Sequence, residues 1–324
     1  MGPPQKEEFI DACPLWYQLV VFFHAFEEPV LGRSAVTEKK KTMQHTVTVP
    51  PGLQSFFQKY QRQAGDQEDT QEFLEHVLTT LETEYIHGIG PFLKPSTAQA
   101  SLQKMVQSWS GAVVEEVWHE VGGYQYTRDE SPISWLFGGL LRISSHEGAD
   151  KETVSQKGSK TGNKKGSGNK KETVQREPIM ALHVNLEDTL DKAMIVHSTP
   201  VLIHGTYNRF QSTSVLEWPL ILIIHIKRFT YSSTRGVLKL NDGMKYPAMW
   251  TPPACCSAIA VPDYLLRAVI VHHGCASGGH YTVYTKNGYG VWHHFDDEKI
   301  KMVTEDEVIR QSAYQLMYEQ RDSL

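Results

Sequence analysis

Apolar residues in the N-terminal part of the chain recur with the spacing of helices. The mostly apolar segment Phe9–Phe26 predicts a buried helix with Pro14 in an early turn, and Pro51–Gln63 predicts a second helix. The clearest helix is predicted from Phe73 to Tyr85, where apolar side chains return every three or four positions.

Further along the chain the pattern changes to that of strands. Residues 112–143 predict short strands and turns with a loop at 137–139, and Leu220–Phe229 is a continuous branched run typical of a strand covered on both faces. The other predicted strands are Ile179–Leu186, Leu265–His273, His280–Lys286, Tyr289–Phe295 and Ala313–Glu319. Helices followed by strands indicate an α+β fold rather than repeated βαβ units.

One segment interrupts this pattern. Residues 151–176 carry eight Lys or Arg, four Gly and only two apolar side chains, Val154 and Val174. Such a composition cannot bury enough surface to offset the entropy of ordering. The sequence therefore predicts a disordered Lys/Gly-rich insertion, which is either a solvated loop or a basic patch for an acidic partner or a localisation signal.

Composition excludes several classes of protein. With 324 residues, 40% of them hydrophobic and 21% charged, the chain has the make-up of a soluble globular protein. A net charge of −5 gives no basic field for nucleic acid, and no apolar run approaches the roughly 20 residues that cross a bilayer. Four cysteines without a CxxC pair predict neither a disulfide framework nor a cysteine-built zinc site. We therefore expect an intracellular protein.

An Asn287-Gly288 dipeptide between two predicted strands indicates a hairpin. A loop of two or three residues places His280 opposite Phe295 or Asp296, so that Asp296 and Asp297 become its cross-strand neighbours. A carboxylate beside an imidazole fixes its tautomer and stabilises its protonated form, which is the orienting half of a nucleophilic triad. The alternative is an ordinary ion pair on a hairpin.

The same region also allows a metal site to be considered, because histidines and acids are dense there. Adjacent strand residues point to opposite faces, so each His-His pair offers at most one ligand per face. The sequence therefore favours no metal and no cofactor, and His225, inside the apolar run, is predicted to be a satisfied core residue. The residues weighed as ligands are His272, His273, His280, His293, His294, Asp296 and Asp297.

Four segments, in order along the chain, resemble motifs of the ubiquitin-specific protease family. The helix-start segment Gln67–Leu74 (QEDTQEFL) contains Asp69 and Glu72, whose simpler explanation is the preference of acids for a first helical turn. The other three are PLILIIHIKRF at Pro219–Phe229, the histidine box from His272 to Asp297, and AYQLMY at Ala313–Tyr318. The LFGG at Leu136–Gly139 fits a further segment of the family.

The resemblance implies a papain-like fold with a helical thumb and a β-rich palm and fingers, formed by residues 9–319. It implies a cysteine-type deubiquitinase that hydrolyses isopeptide bonds at the ubiquitin C-terminus. Its partners would then be ubiquitin and ubiquitinated proteins, and its location cytoplasmic or nuclear.

The resemblance also assigns roles to single residues. His280 would be the general base, Asp296 would orient it, and Asp297 would give secondary polar support near the oxyanion. Asp69 and Glu72 would contact the basic tail of ubiquitin, and Gly278 and Gly279 would leave room for the end of that tail.

Two departures from the family pattern change this expectation. The box G-N-T-C that carries the nucleophile is not present, and the first predicted helix resembles the part of the family helix that follows it. Cys13 precedes Pro14 and has the pattern of a buried helix residue, so it is a poor substitute. We expect either a thiol hydrolase whose nucleophile lies upstream of Met1 or a non-catalytic ubiquitin-binding relative. Without CxxC pairs, the fingers are expected to be metal-free.

Overall fold

The computed structural model describes nine stretches of the chain, which form helices packed against two main β-sheets. The described residues are 12–20, 51–60, 69–89, 119–121, 124–126, 131–147, 172–204, 208–275 and 278–321. The helices are α1 (residues 14–20), α2 (Pro51–Tyr60), α3 (Thr70–Glu84), α4 (Pro132–Phe137), α5 (Leu190–Ser198) and α6 (Glu305–Val308). No helix in these stretches is long and apolar enough to cross a bilayer.

The first four helices share one apolar core. The predicted helices are confirmed where they are described, while residues 9–11, 21–26 and 61–63 lie outside the described stretches. Glu84 at the end of α3 caps α1, because its carboxylate accepts the backbone N–H groups of Leu15 and Trp16 at 3.0 Å. The buried side chains of this core are Leu15, Leu53, Leu78, Leu81, Ile133 and Ile223.

Sixteen strands are present in the described part of the chain. In chain order they are β1 (His119–Val121), β2 (Tyr124–Tyr126), β3 (Gly139–Glu147), β4 (Glu172–Ile179), β5 (Leu182–Asn185), β6 (Val201–Ile203), β7 (Arg209–Glu217), β8 (Ile221–Lys227), β9 (Phe229–Ser232), β10 (Gly236–Lys239), β11 (Met249–Trp250), β12 (Tyr264–Cys275), β13 (Gly278–Lys286), β14 (Trp292–Asp296), β15 (Lys299–Val303) and β16 (Ala313–Gln320).

The larger sheet has eight strands and carries the C-terminal sequence motifs. Its order is β15, β14, β13, β12, β16, β8 and β5, and β11 pairs with β12. The apolar run in β8 is buried from Leu222 to Ile226, as predicted for a strand covered on both faces. Helix α5 covers part of the large sheet, and its Leu190, Ala193 and Met194 belong to the hydrophobic core of that sheet.

The smaller sheet has four strands in the order β4, β3, β7, β6, and it corrects the C-terminal bound of the predicted insertion. Residues 172–176 belong to β4 and pair with β3 from Arg142↔Arg176 to His146↔Glu172. The composition averaged over 151–176 does not reveal that the short sequence Glu-Thr-Val-Gln-Arg at its end forms a strand when it pairs with β3. Residues 151–171 lie outside the described stretches.

Two further predictions are corrected locally. The predicted turn region contains α4, which begins with a capping box between Ser131 and Ser134 and has Pro132 in its first turn. The loop predicted at 137–139 is thus a direct passage from the end of α4 into β3. The single strand predicted over Ile179–Leu186 is interrupted at 180–181, so that β4 and β5 enter different sheets.

Candidate active site

His280 and Asp296 form the centre of the candidate site. Nε2 of His280 and Oδ1 of Asp296 are 2.6 Å apart, and both side chains are partly exposed. The hydrogen bond with His280 is the main reason that the pKa of Asp296 lies below its usual value. Because Asp296 engages Nε2, Nδ1 is the ring nitrogen left to exchange a proton with a reacting group.

The hairpin that carries these two residues is confirmed, but its predicted register is wrong. Lys286 pairs with Trp292 and Val283 with Phe295, so the loop contains five residues, 287–291. The side chain of Asn287 accepts the N–H groups of Tyr289 and Val291 at 3.0 Å and stabilises this wider turn. A positive φ of 79° falls on Gly290 rather than on Gly288.

His273 lies across the strand pair from His280. The two residues are direct partners between β12 and β13, and their rings stack with centroids 6.2 Å apart. Nε2 of His273 is 2.8 Å from the hydroxyl of Thr282. Burial first, and then the charge of His280, lower the pKa of His273. His273 bonds to Thr282, so it lies beside His280 without competing for the Asp296 carboxylate.

Asp297 follows in the turn after β14, with a φ of 50°. One ligand-type atom from each of His280, Asp296 and Asp297 lies within 4.8 Å of the other two, and this is the one such trio found in the described stretches. The His280–Asp296 separation of 2.6 Å fits a shared proton, whereas two ligands of one tetrahedral zinc ion sit about 3.3 Å apart when each is about 2.0–2.2 Å from the metal. We therefore assign no metal ion to this trio.

Asp69 lies at the start of α3 and uses both of its carboxylate oxygens. Oδ1 accepts the N–H of Gln71 at 2.7 Å as an N-cap, and Oδ2 accepts the hydroxyl of Tyr314. Glu72 is exposed in the first turn of the same helix. The carboxylate of Asp69 is thus held rigidly at one edge of the candidate site.

Two tyrosines that sequence reasoning did not single out connect Asp69 to the sheet. Burial first, and then the charge of Asp69, raise the pKa of Tyr281 to about 12. Burial first, and then the hydrogen bond to Asp69, also raise the pKa of Tyr314. Tyr281 directly follows His280 in β13, so the start of α3 packs beside the strand position of the candidate base. The AYQLMY motif contained Tyr314, but its apolar alternation indicated only a core strand.

The two glycines before His280 differ in their surroundings. A Cβ on Gly278 would meet no atom within 4 Å, which is compatible with the predicted room for a substrate tail. A Cβ on Gly279 would lie 2.1 Å from the carbonyl oxygen of His273 and 2.4 Å from Nε2 of His272. Gly279 is therefore required by the close packing of the chain against itself.

None of the four cysteines faces His280 with the geometry of a nucleophile. Cys13 is fully buried, and its thiol donates to the carbonyl oxygen of Glu84 at 3.3 Å. Burial first, and then the charge of Glu84, raise the pKa of Cys13, which opposes thiolate formation. Cys255 and Cys256 are neighbours in a short helix elsewhere, and Cys275 lies on β12 within the same strand pair as His280.

His225 is a core residue as predicted, but the expectation that its polar atoms are satisfied is wrong at one nitrogen. Nδ1 is buried without a hydrogen-bond partner, and the ring packs edge-on against Tyr314 at 4.7 Å. Burial is the main cause that lowers the pKa of His225 to about 4. The ring is therefore neutral at physiological pH.

The family model described as ubiquitin carboxyl-terminal hydrolase matches residues 5–318, nearly the whole chain. The chain therefore belongs to this family, and the resemblance noted in its motifs is confirmed. It is 27% identical over 277 residues to "Ubiquitin hydrolase B" of Dictyostelium discoideum, an alignment that covers 78% of this chain and 55% of that protein. It is also 27% identical over 304 residues to "Ubiquitin carboxyl-terminal hydrolase 10-B" of Xenopus laevis, covering 84% and 36%. The chain thus spans about half, or less, of the length of these relatives.

Solved structures confirm the fold. A structure of the yeast SAGA DUBm matches with a TM-score of 0.59 at 18% identity, covering 83% of this chain and 53% of that one. A SAGA DUB module bound to ubiquitin aldehyde matches with a TM-score of 0.56 at 18% identity, covering 79% and 50%. The predicted α+β, papain-like fold of ubiquitin-specific proteases is therefore correct.

Proposed function

We propose that residues 9–319 form the main part of the catalytic domain of a cysteine-type deubiquitinase, which hydrolyses isopeptide bonds at the ubiquitin C-terminus. The observation that carries this proposal is the contact between His280 Nε2 and Asp296 Oδ1 at 2.6 Å. This contact orients His280 as a base, and an oriented base is one of the groups that a thiol protease needs.

In this mechanism Nδ1 of His280 takes the proton of a cysteine thiol. The thiolate attacks the isopeptide carbonyl carbon, and hydrogen-bond donors stabilise the resulting oxyanion. The Asp297 carboxylate is itself an acceptor, so its secondary support of that region would consist in orienting such donors. The His280 imidazolium then protonates the leaving lysine amine. Water, deprotonated by His280, finally hydrolyses the thioester and regenerates the thiol.

The substrate's basic tail would approach the start of α3. Asp69 is fixed there by its backbone and tyrosine hydrogen bonds, and Glu72 adds a second carboxylate in the same turn. Because Asp69 is already held in place, it attracts a basic peptide without the cost of ordering that carboxylate on binding. The related module solved with ubiquitin aldehyde supports ubiquitin as the ligand.

The arrangement of the cysteines favours a second candidate for residues 1–324 themselves. Because Cys13 is buried with a raised pKa, His280 and Asp296 have no thiol in place beside them in the described part of the chain, and residues 1–324 alone would bind ubiquitin without turnover. A Gly-Asn-x-Cys segment encoded upstream of Met1 would complete the enzyme. Its absence from the transcript would make the protein a ubiquitin-binding pseudoprotease.

One experiment separates the two candidates. The 5′ end of the transcript is mapped, and residues 1–324 are compared with the form that carries any in-frame upstream segment. Each is treated with ubiquitin bearing a C-terminal vinyl methyl ester and with a ubiquitin–fluorophore substrate. We expect adduct and turnover only in the extended form, and loss of turnover with His280→Ala. An adduct on Cys13 of the short form would contradict the proposal, and so would an extended form whose turnover survives His280→Ala.

A further inference from the structure

The end of β12 that faces His280 is held by a lysine from outside the sheet. Nζ of Lys239 donates to the carbonyl oxygens of His272 at 2.7 Å and of Gly274 at 3.0 Å. Lys239 is the last residue of β10, in the two-stranded hairpin of β9 and β10. Lys239 thus adds a charged contact between this hairpin and the large sheet, beside the packing of Phe229 against His272 and Tyr314.

These two carbonyl groups flank the position of the candidate base. Between β12 and β13, His272 pairs with Tyr281 and Gly274 pairs with Gly279, while His273 pairs with His280 between them. The Lys239 ammonium therefore spans the backbone directly across from His280.

At this end β12 has fewer neighbours than along the rest of its length. Its pairing with β16 stops at Val271↔Ala313, so the strand continues beyond that partner by four residues, 272–275. Carbonyl groups at such an edge need donors from elsewhere. Lys239 supplies charge-assisted donors to two of them, and such bonds are stronger than neutral ones.

His272 is buried and packs against Phe229 and Tyr281, but the three glycines at this end bring no side chains of their own. Gly274 has a φ of 98°, and Gly274 and Gly279 approach each other so closely that a Cβ on Gly274 would lie 2.8 Å from the Cα of Gly279. Gly278 has open space around it. A segment of this kind is fixed through its backbone groups.

The hairpin itself is firmly anchored at its base. Arg228, which is 2% exposed, donates to the carbonyl oxygens of Ala313 at 2.7 Å, Leu240 at 3.2 Å and Asp242 at 2.9 Å. Leu240 in turn donates its N–H to the carbonyl oxygen of Arg228 at 2.7 Å. Lys239 thus extends from a rigid base.

We propose that Lys239 is a positioning residue for His280. By holding the carbonyl groups of His272 and Gly274, it fixes the end of the β12–β13 strand pair from which His280 reaches Asp296. This inference rests on the proposed function only for the role of His280. Burial first, and then the charge of Arg228, lower the pKa of Lys239.

The test is made by NMR on the whole chain without ubiquitin, so its result does not depend on whether the protein hydrolyses anything. Lys239→Met removes the charge and the donors but keeps the length of the side chain. The readouts are the ring proton shared by His280 and Asp296 and the hydrogen exchange of the Gly279 and His280 amides. We expect the ring proton to broaden or vanish and the exchange to quicken about ten- to hundredfold, in line with the loss of charge-assisted hydrogen bonds.

Matched variants make the result decisive. Lys239→Arg keeps a charged donor and should retain most of both signals, whereas Lys245→Met, an exposed lysine of the following segment, should change neither. If Lys239→Met does not fold, Lys239→Gln, which keeps an N–H donor without the charge, should give a smaller change of the same kind. Wild-type ring and exchange signals in Lys239→Met, or in a folded Lys239→Gln, would overturn the proposal. Equal changes in Lys245→Met would overturn it as well.

Discussion

His280 and Asp296 meet along a diagonal of the β13–β14 hairpin and are not direct partners across it. The observed pairing runs from Lys286↔Trp292 to Val283↔Phe295, and its continuation places Asp296 opposite Thr282, two residues from His280. Diagonal neighbours on one face of a sheet remain within reach of long side chains. The diagonal contact explains how the 2.6 Å hydrogen bond forms with a five-residue loop.

Replacing the carboxylate tests whether this contact orients the base. Asp296→Asn keeps the shape of the side chain but removes the charge that favours one tautomer of His280. In a form of the protein that carries a nucleophile, we expect kcat to fall by about 10²- to 10⁴-fold. Steady-state hydrolysis of a ubiquitin–fluorophore substrate measures the effect.

Asp297→Asn is the matched control because Asp297 lies next in the chain and is also an aspartate. Its loss should be clearly smaller than that of Asp296→Asn, since the hydrogen bond to His280 is made by Asp296. Equal losses for the two variants would show that the site depends on local charge and not on the orientation of His280.

The two glycines before His280 allow two separate predictions, one about packing and one about the substrate. Gly279→Ala would force a Cβ to within 2.1 Å of the His273 carbonyl oxygen, and overpacking of this kind costs about 3 kcal/mol of unfolding free energy. Gly278→Ala has open space and should leave stability within about 1 kcal/mol of wild type. Urea denaturation of both variants gives the comparison.

The same pair separates folding from binding. If Gly278 leaves room for a substrate tail, Gly278→Ala should weaken ubiquitin binding although the protein remains as stable as wild type. A Gly278→Ala variant that binds ubiquitin normally would remove that residue from the proposed tail site. A stable Gly279→Ala variant would contradict the close packing.

Asp69 should affect ubiquitin binding through its charge. Asp69→Asn keeps one oxygen as the N-cap acceptor for Gln71 and places an NH2 group near the hydroxyl of Tyr314, which can accept from it, so the helix should persist. Loss of one fixed carboxylate facing a basic tail should weaken binding about tenfold, and Glu72→Gln should add to that loss. Isothermal titration with ubiquitin measures both variants.

His280→Ala is the control for this measurement because it removes the base and leaves the acids at the start of α3 unchanged. It should bind ubiquitin as wild type does. If His280→Ala and Asp69→Asn lose the same affinity, the assignment of separate roles to the two ends of the site fails.

The sequence predicts the parts of this molecule that depend on local pattern. Its 3.6-residue periodicity located α3, and the apolar run of β8 is buried as expected. The hairpin loop was misjudged because Asn287-Gly288 is typical of a two-residue turn, whereas the side chain of Asn287 stabilises a wider one. Contacts between distant segments, such as Tyr314 with Asp69, depend on how strands and helices assemble and leave no local signal.

The histidine buried in β8 should make stability depend on pH. Burial lowers the pKa of His225 to about 4 in the folded protein, from the ordinary value of 6.5. The unfolded chain binds a proton at His225 more readily than the folded protein does. The contribution of the neutral His225 to the free energy of unfolding is therefore fully present above pH 6.5 and is lost as the pH falls toward the folded-state pKa of about 4. Linkage gives a loss of about 2 kcal/mol between neutral pH and about pH 5.

We therefore expect His225→Asn to flatten the pH dependence of unfolding measured by urea denaturation over that interval. Some dependence should remain, because burial also lowers the pKa values of His197, His272, His273 and His294. The exposed His204 is the control, and His204→Asn should keep the wild-type slope. If His225→Asn is less stable at every pH but retains the full slope, the buried imidazole is not the source of the effect, and the acid sensitivity resides in the other histidines.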